Sequence, residues 1–167
     1  MKDANNADKK DVLITALEER YEAMRTIRER VQSVGLWALG IMLAAAGWFV
    51  QSGTLIAPKQ KLLYIIALGV AFWALRLKYL DDLEKGFSKQ QRVAVRIEKA
   101  LGLYAPGVFD EEEKSIYPQE WEKAGSEGGD GKFFAHTYLL LYIGITILVL
   151  AILLQPEYHT FFFSRWR

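Results

Sequence analysis

The run FFAHTYLLLYIGITILVLAILL, residues 133–154, decides the fold. It contains no Asp, Glu, Lys or Arg. A bilayer core of roughly 30 Å needs about 20 mostly apolar helical residues, with about 17 as the lower limit. This run meets that requirement outright. Two earlier runs, 34–50 and 62–75, are equally free of charged residues. The first sits at the limit. The second reaches spanning length by extending to Leu80, with Arg76 and Lys78 snorkelling to the interface. The sequence therefore predicts an all-α membrane protein with three transmembrane helices, at 34–50, 62–80 and 133–154.

Whole-chain averages hide this pattern. Hydrophobic residues make up 51% of the chain and mean hydropathy is only +0.05, because apolar spans are diluted by highly charged segments. The net charge of +1 gives no case for a nucleic-acid partner, which calls for a basic domain. Cysteine is absent, so there is no disulfide frame, thiolate metal site or Cys nucleophile. The charged segment 1–33 precedes the first span where a cleavable signal would begin with its apolar core, so span one is expected to act as an uncleaved signal anchor.

Charge sets the expected topology. Lys and Arg are dense in 1–33 and again in 76–132, whereas the turn between spans one and two holds only Lys59 and Lys61. The positive-inside rule then puts the N-terminus and residues 76–132 in the cytoplasm of a bacterial inner membrane, and the C-terminus in the periplasm. The aromatic tail 155–167, with Tyr158, Phe161, Phe162, Phe163 and Trp166, reads as an interfacial anchor.

Two segments extend the first two spans out of the membrane. Between residues 8 and 33 there is no Gly or Pro, and Leu13, Leu17, Met24, Ile27, Val31 and Val34 alternate by four and three, with Arg20 as the interruption. After span two, Leu80, Leu83, Phe87, Ala94, Ile97 and Leu101 follow the same spacing, with Gln90 as the interruption. Such seams mark packed helices. Because the turn 51–60, with Gly53 and Pro58, is short, the two extensions are expected to form an antiparallel cytoplasmic stalk, giving a helical hairpin over 8–103 that stops at Gly102. Arg28 and Arg30 should lie level with Asp81, Asp82 and Glu84 and pair with them, setting register more than stability.

Span one is rich in small residues. Gly40, Ala44 and Gly47 share one face, which allows close helix approach to span two, span three or another subunit. Span three carries Tyr138, Tyr142 and Thr146 on one face. Thr146 can bond back to its own helix, or the stripe can face an interface or wet lumen. The segment 104–132 is a cytoplasmic connector. Tyr104, Phe109, Ile116, Tyr117 and Trp121 should pack on the stalk, Ser115 or Pro118 should open a short helical turn, and the Gly-rich stretch 125–131 is expected to be mobile. Tyr104, Phe109, Tyr117 and Trp121 are also the expected surface for a cytoplasmic partner or signal.

No catalytic constellation is legible. The run 125–132 ends in Gly-Lys but has Ser126 and Phe133 where a phosphate loop needs Gly and Ser or Thr. The cluster 110–113 lacks the alternating ligands of a calcium loop. His136 and His159 fall on opposite sides of the membrane, and no span carries the ionisable residues of a pump. No cofactor or metal is expected, and the protein reads as no enzyme.

The pair Arg20-Tyr21, the glycine- and alanine-rich run 35–47, and Leu75-Arg76-Leu77-Lys78-Tyr79-Leu80 leading into the helix that follows give residues 1–103 a layout that resembles, in architecture and without a diagnostic motif, the SLATT proteins. These are small bacterial membrane effectors accompanying nucleotide-signalling and other phage-defence modules. The resemblance implies a self-assembling, membrane-perturbing or pore-forming effector, restrained until a cytosolic signal arrives. The other reading is a membrane anchor or scaffold that recruits a soluble partner.

Overall fold

A computed structural model describes residues 2–53, 55–108, 114–127 and 132–156, with backbone alone for 2–7 and 124–127. Every regular element among the described residues is helical: α1 (Lys2–Ser52), α2 (Pro58–Ala74), a π-helical stretch (Leu75–Leu80), α3 (Asp81–Leu101), α4 (Gln119–Glu127) and α5 (Lys132–Leu153). Three of these stretches are long and apolar enough to cross a membrane, within α1, from α2 onward, and in α5. As expected from the absence of Gly and Pro between residues 8 and 33, the leading segment runs straight into span one, and α1 continues unbroken for 51 residues. The chain divides into two compact units, 1–30 with 81–134 and 31–80 with 135–167.

In the first unit, α1 and α3 are antiparallel: Gly86 lies beside Ile27, while Gln90 and Glu98 lie beside Arg20 and Tyr21. The two polar interruptions of the seams meet each other, Arg20 Nη1 donating to Gln90 Oε1 at 2.9 Å. Leu17 and Ala94 are buried as the seams require. The rest of the buried face on α3 is displaced. It holds Ser88, Val95 and Glu98, whereas Leu83, Ile97 and Leu101 are only half-buried. The displacement has a cause: α4 also packs on α3, tied by Lys99 to Glu122 at 2.6 Å. A two-helix seam does not foresee that third partner. Below α3, Phe87 meets Phe133 and Phe134 edge to face, and Arg28 stands 5.8 Å from the Phe133 ring centre.

The second unit holds the apolar core of α1, α2 and α5. Gly35 lies against Thr137, Met42 and Leu39 against Gly144, and Phe49 against Gln155, so α1 and α5 are parallel. Lys61 reaches the C-terminal end of α5 while Phe72 meets Tyr142, so α2 is antiparallel to α5. The three segments therefore cross the unit in alternating directions. On α5 the residues Thr137, Leu141, Gly144, Leu148 and Ala151, and Gln155 just beyond its end, are buried at alternating spacings of four and three.

The turn between α1 and α2 follows its sequence signals. Gly53 takes a left-handed φ of 57°, and Pro58 opens α2, where its missing N–H has no helical partner to lose. Ala57 precedes it and has no side-chain acceptor; Gln60 Oε1 accepts the Ala57 N–H at 3.3 Å instead. Lys61 departs from expectation. Counted as a turn cation, it is 6% exposed and donates to the carbonyls of Gln155 at 2.6 Å and Leu153 at 3.2 Å. A buried ammonium is held because a helix C-terminus offers unpaired carbonyls and the negative end of the dipole.

Three further features concern the connections. The passage from span two into the helix that follows is not regular throughout, since the end of the span, Leu75–Leu80, winds wider. Ile116 is 50% exposed where packing was expected. Helical backbone runs through 125–127, within the stretch expected to be mobile. Phe109, the acidic cluster 110–113, residues 128–131 and the tail from 157 lie outside the described residues.

Candidate functional site

The end of α3 builds a pocket. Gly102 has φ 81°, its N–H bonds the Lys99 carbonyl at 3.1 Å, and the Leu103 N–H bonds the Glu98 carbonyl at 3.1 Å. That paired closure is the Schellman cap expected where a glycine follows a helix. It turns the chain back on α3, so that the Tyr104 hydroxyl donates to Glu98 Oε2. The Tyr117 N–H then bonds the Leu103 carbonyl at 3.0 Å, and Ser115 Oγ donates to the Tyr117 carbonyl at 2.9 Å. Pro118 starts α4, its carbonyl accepting from the Trp121 N–H at 3.0 Å. The rings of Tyr104, Tyr117 and Trp121 consequently stand in a row, with centres 5.8 and 5.7 Å apart.

Glu98 is the floor of this arrangement. It is 5% exposed, and its second oxygen accepts from the Tyr21 hydroxyl of α1 at 2.6 Å. Burial raises the Tyr21 and Tyr104 phenols above their ordinary range, and the hydrogen bonds to Glu98 push in the same direction. Both phenols therefore stay protonated and donate to the carboxylate. The cavity over Glu98 has a volume of about 430 Å³. Phe87 and Gln91 complete its wall, with Trp121 59% exposed on it. Gln91 Oε1 is buried with no hydrogen-bond donor among the described residues. The lining includes no Lys, Arg or His.

Of the residues singled out by sequence, Tyr104, Tyr117 and Trp121 converge here. Glu98, Tyr21 and Gln91 were not singled out for a site. Gln91 and Glu98 are seven residues apart, and that repeat of polar residues on one helical face was the available signal. Of the juxtamembrane charges, Arg28 lies over Phe133, Asp81 accepts from Lys85 at 2.6 Å, and Arg30 and Asp82 lie on α1 and at the start of α3.

In the second unit, Thr146 Oγ1 donates to the Tyr142 carbonyl at 2.7 Å, the back-bonded arrangement. Tyr138 and Tyr142 hold Arg76: its guanidinium is 5.5 Å from each ring centre and donates to the Tyr142 hydroxyl. Gly40, Ala44 and Gly47 lie roughly 150° round α1 from the residues that face α5, at about 100° per residue. No atom stands within 4 Å of where a Cβ would project at Gly40 or Gly47.

Among the described residues, no group of three or more His, Asp or Glu is placed to hold a metal ion. No family model, curated protein or solved structure matches this chain.

Proposed function

We propose that this chain is a non-enzymatic, homo-oligomeric protein of a bacterial inner membrane, with a cytoplasmic N-terminus and a periplasmic C-terminus. In this reading three spans cross the lipid, copies associate through Gly40, Ala44 and Gly47, and the assembly perturbs the membrane or forms a pore under control of the cytoplasmic unit. Arg28 and Arg30 pair with the acidic start of α3 to fix the register of that unit. The SLATT likeness of residues 1–103 agrees with an effector role in phage defence.

One observation carries the reading. Span one has two small-residue faces. Gly35 is filled by Thr137, whereas Gly40 and Gly47 meet nothing. In lipid, helix association is driven by close packing, and an unfilled small face is suited to another helix. The test is the mass of the complex in maltoside micelles by light scattering, with dye uptake after overexpression. A discrete multimer, reduced to monomer by Gly40→Leu with Gly47→Leu, is expected. A wild-type monomer that is harmless at high expression would overturn the proposal.

A second reading, a membrane scaffold for a soluble partner, is favoured by the exposed Ile116 and Trp121 on the first unit. It predicts capture of one partner by the wild type and its loss in Trp121→Ala with the mass of the complex unchanged.

A further inference from the structure

We infer that the cavity over Glu98 is a binding site for a small organic cation carrying N–H groups, an alkylammonium or guanidinium compound. The cavity combines a carboxylate with the faces of five aromatic rings. Glu98 is a buried carboxylate whose hydrogen-bond partners are the phenols of Tyr21 and Tyr104, and among the described residues it has no ion pair. A charge withdrawn from water is strongly unfavourable until it is paired. Two neutral phenols offset part of this. A carboxylate has about four lone-pair sites, so acceptor capacity remains after two hydrogen bonds.

A second observation points the same way. Gln91 Oε1, on the same wall, is buried and lacks a donor among the described residues. Such an orphan acceptor is rare, and a donor on a ligand would satisfy it. Around these two acceptors stand the rings of Tyr21, Phe87, Tyr104, Tyr117 and Trp121. Ring faces attract cations, best for Trp, and more strongly when water is excluded. With Glu98 and no basic residue in the lining, a phosphate or carboxylate ligand would meet a like charge and no cation. The volume of about 430 Å³ suits a small molecule. Because Glu98 keeps acceptor capacity beyond its two phenol donors, a primary ammonium is preferred over a quaternary one. This site lies wholly in the first unit and does not depend on assembly in lipid.

The test is titration calorimetry on the full chain in maltoside micelles, with n-butylammonium as probe and tetramethylammonium and butyrate as comparisons. Saturable binding of one butylammonium per chain is expected, with tetramethylammonium weaker and butyrate inert. Glu98→Gln should lower the affinity at least tenfold, and Trp121→Ala severalfold. Because the Trp121 ring is largely exposed, its removal leaves the fold in place, and this variant decides the matter if Glu98→Gln loses helical circular dichroism. Absence of saturable binding, equal binding of butyrate, or unchanged affinity in a folded variant of either residue overturns the inference.

Discussion

Replacing Gly35 by alanine tests the packing of α1 on α5 directly. A Cβ built there stands 2.6 Å from the Thr137 Cγ2, whereas carbon atoms rest at about 3.5–4 Å. The two helices must part locally by about 1 Å, or Thr137 must leave its rotamer, which β-branching resists. Overpacking of this size costs about 1–3 kcal/mol. Thr137→Ser removes the offending methyl and keeps the hydroxyl. Alone it should cost about 1 kcal/mol through lost contacts. In the double variant the clash is gone, so the two effects should fall short of their sum by about 1 kcal/mol or more. Gly40→Ala is the control, since nothing stands within 4 Å of its Cβ; the better helix former should leave the single chain unchanged or stabilise it by up to about 1 kcal/mol. Equilibrium unfolding in mixed micelles of maltoside and dodecyl sulfate measures all four. Additive effects of Gly35→Ala and Thr137→Ser would refute the contact, and with it the parallel register of α1 and α5.

Lys61→Met should destabilise the second unit by about 1.5–3 kcal/mol, because charge-assisted hydrogen bonds to the Leu153 and Gln155 carbonyls are lost; the same micellar unfolding reads it. Gly102→Ala should lower stability by about 1–2 kcal/mol, since φ 81° is left-handed, and thermal melting followed by circular dichroism checks it. The phenols of Tyr21 and Tyr104 are raised by folding above the ordinary value near 10, so their contribution is complete below that pH and is lost as pH rises beyond it. Absorbance titration of tyrosinate should show two late phenols, removed one at a time by Tyr21→Phe and Tyr104→Phe. The double variant should lose less stability than the wild type as pH rises from about 9 to about 11.

Much of the helical content was legible because the sequence signals were local. The unbroken leading half of α1 follows from the absence of Gly and Pro between residues 8 and 33, the start of α2 from Pro58, and the end of α3 from Gly102. The burial on α3 was only half legible. A heptad seam reports the partner helix, but Val95 and Glu98 are buried by a connector whose fold depends on the glycine turn and on rings distant in sequence. The packing face of α5 was obscured for another reason. Where nearly every residue is apolar, hydrophobic periodicity carries no information. The signal is the repeat of small or polar residues at Thr137, Gly144 and Ala151, and the tyrosines on the neighbouring face draw attention from it. Lys61 defeats charge counting, which assigns lysines to water, because the carbonyls of another helix end hold it.

The hydrogen bonds of Lys61 and Gln155, with the Ile56 N–H donating to the Pro156 carbonyl at 3.2 Å, fasten the end of α1, the turn after it, the start of α2 and the end of α5 to one another. Axial sliding of any one of these segments past the others would break several of these bonds at once. Tilting with that end as fulcrum leaves them intact. Splaying away from that end would spare the knot and would instead have to part Arg76 from the rings of Tyr138 and Tyr142.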